Sequence, residues 1–265
     1  MRLKHCFEAL QARGRKALIP YILAGDPPEK TVEVMHQLVA SGVDIIELGF
    51  AFSDPVADGP VIAQAHERVV SQGVTLADVF SMVSAFRESD NATPIVLMGY
   101  LNPVEIMGYE VFVERASQAG VDGVLMVDLP PEAAGELLSL LHGHGMDMIN
   151  LITPTTSDER IQKICNVASG YLYYVSLKGV TGAATLNTVE VAERVKHIKR
   201  FTEVPVSVGF GIRDGESAAA ISQVADGVIV GSVLVSELAK FADEGQDCIE
   251  RVSDRVREMR SAMDR

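Results

Sequence analysis

Short runs of β-branched and other apolar residues recur along the chain, separated by stretches with apolar residues at every third or fourth position. The runs predict eight strands: Ala17–Leu23, Ile45–Leu48, Ile95–Tyr100, Val121–Asp128, Asp147–Ile152, Tyr171–Ser176, Val204–Gly209 and Gly227–Gly231. The amphipathic stretches predict helices over Lys30–Ser41, Tyr109–Ala119, Glu132–His144, Asp158–Ala168, Val189–Phe201 and Gly215–Val224. Strands that are apolar on both faces and alternate with helices belong to a parallel sheet covered by βα units.

One phrase repeats ahead of three strands: Ala40-Ser41-Gly42-Val43-Asp44, Gln118-Ala119-Gly120-Val121-Asp122-Gly123 and Val224-Ala225-Asp226-Gly227. Each reads as a helix end, a turn residue and a strand start. Eight such units predict a closed (β/α)8 TIM barrel. The rival, a doubly wound open sheet, should carry G-x-G-x-x-G after the first strand, where this chain has Ala24-Gly25-Asp26-Pro27. Additional helices are predicted at the N-terminus (Leu3–Arg13), after strand two (Leu76–Ser89) and at the C-terminus (Cys248–Met263). No Pro/Ser-rich linker divides the 265 residues, so residues 1–265 are expected to form one domain.

Composition narrows the function classes. Acids outnumber bases by 36 to 23, a net charge of −13, which argues against a general nucleic-acid binder. A small anion remains possible, because local backbone amides can hold one. Three scattered cysteines, Cys6, Cys165 and Cys248, fit a reducing compartment. Without a signal-like apolar run at the N-terminus or a run of about 18 apolar residues, a cytoplasmic enzyme is the expectation.

The candidate chemistry lies in Glu47–Pro60, ELGFAFSDPVADGP. Glu47 sits near the end of an apolar strand, where an acid is costly to desolvate. Asp58 follows on the adjoining loop and supplies the second carboxylate that acid–base chemistry uses. Glycines mark three later strand ends: Lys178-Gly179-Val180-Thr181-Gly182, Gly209-Phe210-Gly211-Ile212, and Gly231-Ser232 opening a short helix over Val233–Phe241. Adjacent in a barrel, they predict a phosphate site made of backbone N–H groups.

Taken together, these segments resemble the tryptophan synthase alpha chain family along nearly the whole length. The resemblance is carried by Ile19-Pro20-Tyr21 with Ala24-Gly25-Asp26-Pro27, Glu47-Leu48-Gly49, and Phe52 through Pro60. It continues through Met98-Gly99-Tyr100-Leu101-Asn102-Pro103, Asp128-Leu129-Pro130, Gly179-Val180-Thr181-Gly182 and Gly209-Phe210-Gly211-Ile212. The resemblance implies a retro-aldol lyase that cleaves indole-3-glycerol phosphate to indole and glyceraldehyde 3-phosphate. It implies no metal or organic cofactor on this chain, pyridoxal phosphate being confined to a partner beta chain. Glu47 would be the acid–base residue and Asp58 the partner of the indole N–H. Tyr21, Phe52, Met98, Tyr100, Val127, Leu151, Tyr173 and Phe210 would wall the ring. Thr181, Gly182, Gly211, Gly231 and Ser232 would serve the glycerol-phosphate end. Asp54, Pro55, Asn102 and Pro103 would meet the beta chain, in a complex of two alpha and two beta chains. The chain departs from the family pattern at Ala51, where proline is usual, and at Leu177, where arginine is frequent. The first implies a looser loop after strand two.

Other acids and histidines read more plainly. Asp26-Pro27-Pro28 is expected to enter a helix with Asp26 near the N-cap. Asp128 is expected to orient loops. His142 and His144 sit at a helix end with no acid or cysteine beside them and are not taken as metal ligands. Two rival functions stand beside the bienzyme subunit: a stand-alone lyase that releases free indole, and a non-catalytic barrel that binds a phosphosugar.

Overall fold

The computed structural model describes residues 1–176, 188–209 and 211–265. Its strands are β1 (Ala17–Leu23), β2 (Ile46–Gly49), β3 (Ile95–Gly99), β4 (Gly123–Met126), β5 (Asp147–Met148), β6 (Asn150–Ile152), β7 (Leu172–Val175), β8 (Val206–Gly209) and β9 (Gly227–Val230). All pair in parallel, in the order β5-β4-β3-β2-β1-β9-β8-β7-β6. The two edges, β5 and β6, are halves of one run interrupted only at Ile149. The first half pairs with β4 and the second with β7, so the ring closes. The predicted fifth strand is therefore split: one short segment changes partner partway along. Eight runs still make the (β/α)8 barrel.

The repeated phrase has a single physical purpose. The Asp44 N–H donates to the Leu18 carbonyl while the Asp44 carboxylate accepts the Leu18 N–H at 2.8 Å. Asp122 makes the same two bonds to Ile95, and Asp226 to Val206. Each aspartate thus clamps the start of the preceding strand in register, satisfying backbone groups where the ladder begins. Cations neutralise all three. Arg260 of the last helix (Gln246–Met263) reaches Asp44, Arg87 and Arg2 reach Asp122, and Lys199 reaches Asp226.

Leu3, Phe7 and Leu10 of the first helix (Arg2–Ala12) close the N-terminal end of the barrel against Ala17, Ile19, Ile45, Val96, Leu125 and Ile149. Full burial of each such side chain stabilises by about 1.5–3 kcal/mol. The alternate strand residues, among them Leu18, Ile22, Leu48, Leu97, Val124 and Val208, pack outward against the helices.

Several helix boundaries depart from the sequence reading. Asp26 is not an N-cap. The helix Thr31–Ala40 starts after Lys30, while the buried Asp26 carboxylate takes two bonds from Arg68, at 3.1 and 2.6 Å. Two helices were hidden by their prolines. Pro60–Ser71 begins with Pro60 directly after Gly59, where a missing N–H is harmless. Its buried residues Ile62, Ala65, His66 and Val69 have helical spacing. Leu101–Met107 carries Asn102 and Pro103 in its first turn, so that segment is a helix start rather than a loop. The helix predicted from Val233 instead runs Ser232–Leu238, with a separate turn of helix at Phe241–Glu244.

Candidate active site

Glu47 lies inside β2 rather than at its end, level with Tyr21 of β1 and Val96 of β3, and is fully buried. The Tyr171 hydroxyl donates to its Oε1. Among the described residues, its Oε2 has no hydrogen-bond partner and no cation approaches either oxygen. Burial pushes the carboxyl up to about 8, and the Tyr171 hydrogen bond only partly opposes this. A carboxyl raised this far is mostly protonated at neutral pH and can donate its proton.

Asp58, on the loop that leaves β2, is approached by two side chains, Tyr100 and His66. The Tyr100 hydroxyl donates to its Oδ2 at 2.7 Å, and the Ala57 N–H donates to the Tyr100 oxygen at 3.0 Å. His66, on Pro60–Ser71, has its Nε2 3.7 Å from the same Asp58 oxygen. Burial raises the Asp58 carboxyl, while the Tyr100 hydrogen bond and the field of His66 act to keep it ionised. Glu47 and Asp58 both act electrostatically on the buried phenols of Tyr21 and Tyr173, and so flank one recess.

The walls of that recess follow from strand alternation. Met98, Val127, Leu151 and Val175 pack on the interior cluster but stay half-buried, so they line its open end. Tyr21 and Tyr173 fit because Gly49 and Gly209 face their hydroxyls and leave no room for a Cβ. Gly209 is thus a packing glycine. Phe52 lies with its ring 5.2 Å from that of Tyr100. Gly211 is exposed, with φ 79°, a conformation that favours glycine; Gly231 precedes Ser232–Leu238, with Ser232 exposed. Thr181, Gly182, Phe210 and Leu177 lie outside the described residues.

Asp54 is exposed and accepts from Ser53 Oγ at 2.5 Å, with Pro55 half-buried beside it. Asn102 and Pro103 lie after β3 on the same barrel end, as does Asp128 after β4, which accepts the Leu101 N–H at 2.8 Å. The Ala51 side chain packs against the cluster formed by Tyr21, Leu23, Ile62 and Val69. His144 Nδ1 lies 2.9 Å from the Leu140 carbonyl, at a helix end.

Sequence reading missed Tyr171 and His66. Tyr171 opens the strand predicted over Tyr171–Ser176, and its alternation with Tyr173 puts both on one face of that strand. His66 lay in a helix that was not predicted.

A proton-bearing acid buried within a barrel strand, with a second carboxylate on the loop that follows it, defines an enzyme of acid–base chemistry. Residues 7–264 match the family model described as Tryptophan synthase alpha chain. A tryptophan synthase alpha chain of Thioalkalivibrio sulfidiphilus is 57% identical over 264 residues, covering 99% of both chains. One from Acinetobacter baumannii is 56% identical, covering 99% of this chain and 98% of that one. The crystal structure of tryptophan synthase subunit alpha from Legionella pneumophila superposes with a TM-score of 0.92 at 44% identity, covering 99% and 98% of the two chains. The chain belongs to the tryptophan synthase alpha chain family. It is a carbon–carbon lyase of tryptophan biosynthesis and cleaves indole-3-glycerol phosphate to indole and glyceraldehyde 3-phosphate.

Proposed function

We propose that Glu47 and Asp58 carry this cleavage between them. Protonated Glu47 gives its proton to indole C3, which turns the ring into a leaving group. Positive charge then develops at the ring nitrogen, where the Asp58 carboxylate accepts the N–H and balances it. The Glu47 carboxylate left behind takes the proton of the side-chain hydroxyl next to C3. The carbon–carbon bond breaks, that hydroxyl carbon becomes the aldehyde, and the electron pair returns to the indole ring. The carrying observation is the Glu47 carboxyl: fully buried, pushed up to about 8 by that burial, and bonded through one oxygen only among the described residues.

Tyr21, Phe52, Met98, Tyr100, Val127, Leu151, Tyr173 and Phe210 wall the indole ring in this reading. The phosphate sits against Thr181, Gly182, Gly211, Gly231 and Ser232, at the strand ends where barrels commonly hold phosphate. The reaction needs no cofactor on this chain.

The exposed edge of the mouth supports a beta-chain partner. Val56 is 89% exposed and Ile106 is 80% exposed, both beside the segments 54–55 and 102–103 that the resemblance assigns to the contact. The assembly is two alpha and two beta chains, with pyridoxal phosphate on the beta chain and indole passing into it. The enzyme is cytoplasmic and forms one domain; among the described residues, no single helix is long and apolar enough to cross a membrane. The test is an indole-release assay of the purified chain, with and without its cognate beta chain, on wild type and Glu47→Gln. Loss of release in a folded Glu47→Gln protein, and faster release by wild type with the partner, support this reading. Full release by Glu47→Gln, or the same wild-type rate with no complex formed, contradicts it.

A further inference from the structure

His66 is buried, 2% exposed, on the helix that follows the catalytic loop, and both its ring nitrogens face that loop. Nδ1 accepts the Phe52 N–H at 3.0 Å. A nitrogen that accepts a backbone N–H carries no proton, so the neutral ring must hold its hydrogen on Nε2. That hydrogen points toward Asp58, whose Oδ2 lies 3.7 Å away, beyond a direct hydrogen bond but close enough to feel its field. The Tyr100 ring stands edge-on to the imidazole with centroids 6.2 Å apart, and its hydroxyl holds Asp58 from the other side.

We propose that His66 is a positioning residue for the lyase: its neutral Nε2–H tautomer pins Phe52, fixes the 50–58 loop at its near end and steadies Asp58, and protonation of the ring releases that loop. The inference rests on the role given to Asp58 above. The argument is one of donors and acceptors. An imidazolium carries a second N–H on Nδ1, which would face the Phe52 N–H donor-to-donor. The ring therefore stays neutral while the loop is in place, or the loop moves. The charged group facing the imidazole is Asp58, from the loop, and the Tyr100 phenol faces it from the end of β3. On its own helix, Glu67 is exposed and Arg68 is engaged with Asp26. Burial holds the imidazole below its ordinary value and outweighs the opposing pull of Asp58.

The loop is thus tied twice. His66 holds Phe52 near its start, and Tyr100 holds Ala57 and Asp58 near its end. A displacement of about 1 Å at a reacting group can lower turnover about 100-fold. His66→Leu keeps bulk but offers no acceptor; His66→Asn offers Oδ1 where Nδ1 stood and cannot titrate.

Kinetics from about pH 5 to 9, with nitrogen-15 spectra of the histidines and hydrogen exchange at the Phe52 amide, test the proposal. The expected results are a kcat about 100-fold lower in His66→Leu with KM little changed, faster Phe52 exchange in that variant, and recovery of most of the rate in His66→Asn. The acid limb of the wild-type profile should shift to lower pH in His66→Asn. If His66 acted only through its field on Asp58, removing it would raise the Asp58 carboxyl and shift that limb upward, which would overturn the proposal. An Nδ1–H tautomer in the wild-type spectrum would also overturn it, and this readout stands even if His66→Leu does not fold. Full activity in Asp58→Asn would instead remove the role of Asp58, while leaving the tautomer and exchange results to judge the tie between His66 and the loop.

Discussion

Three carboxylates at the N-terminal end of the barrel and two at its C-terminal end are held in opposite ways. At the N-terminal end, Asp44, Asp122 and Asp226 each take a backbone N–H and a cation. At the C-terminal end, among the described residues, Glu47 has one phenol and no cation, and Asp58 has one phenol and a distant imidazole. Cations neutralise the three floor acids, and Arg68 does the same for Asp26 after β1, but among the described residues none reaches Glu47. Charge satisfied on all sides holds register. Charge left short of partners stays reactive, because the same burial that would destabilise an anion keeps its proton available.

Glu47→Gln breaks the comparison most sharply. It should lower indole formation by about 10³-fold or more, measured as turnover of a variant whose circular dichroism matches wild type. The same change should make the protein more stable at alkaline pH. Glu47 is raised from 4.5 to about 8, so between those values the folded state binds more protons than the unfolded one. Stability accordingly falls as pH rises through that window. At about 1.4 kcal/mol per pH unit the loss approaches about 5 kcal/mol as an upper bound. Denaturant titrations at several pH values should show Glu47→Gln matching wild type below about pH 4.5 and exceeding it above about pH 8.

Asp58→Asn should lower kcat about 100-fold, since an amide cannot balance charge at the ring nitrogen. Rate measurements at saturating substrate, with binding of a substrate analogue as control, check this. At the opposite end, Asp122→Ala should leave kcat per folded molecule intact. It strands the buried Arg87 guanidinium, which also donates to the Gly120 and Thr93 carbonyls. Loss of one partner of such a pair removes about 3–5 kcal/mol of stability, readable by urea unfolding. Asp226→Asn is the mildest probe. Its carboxylate is partly exposed, its ion pair is correspondingly screened, and about 1 kcal/mol should be lost.

Much of the floor was legible in the sequence. Strands with both faces apolar announce a parallel barrel, and the phrases carrying Asp44, Asp122 and Asp226 marked where three of them begin, although the clamp made by these aspartates emerged only in three dimensions. At the mouth, the loop from Glu47 to Pro60 stood out as a motif, and its acids could be assigned roles only through resemblance. What the sequence hid was long-range or disguised. Tyr171 meets Glu47 across 124 positions, and no local pattern encodes such a meeting. His66 was obscured because Gly59-Pro60 reads as a break when it also begins a helix. The partner change at Ile149 was not legible, since Asp147–Ile152 reads as one short strand whichever neighbour each half pairs with.

The central claim is that Glu47, fully buried with neither a cation nor a backbone donor among the described residues, keeps its proton at neutral pH. A carbon-13 titration of the glutamate side-chain carboxyls, with Glu47→Gln identifying the resonance, measures this directly. The account predicts a carboxyl in the wild-type protein that titrates near 8 and is missing from the variant. A Glu47 resonance that titrates with the exposed glutamates, near the ordinary value of about 4.3, would contradict it.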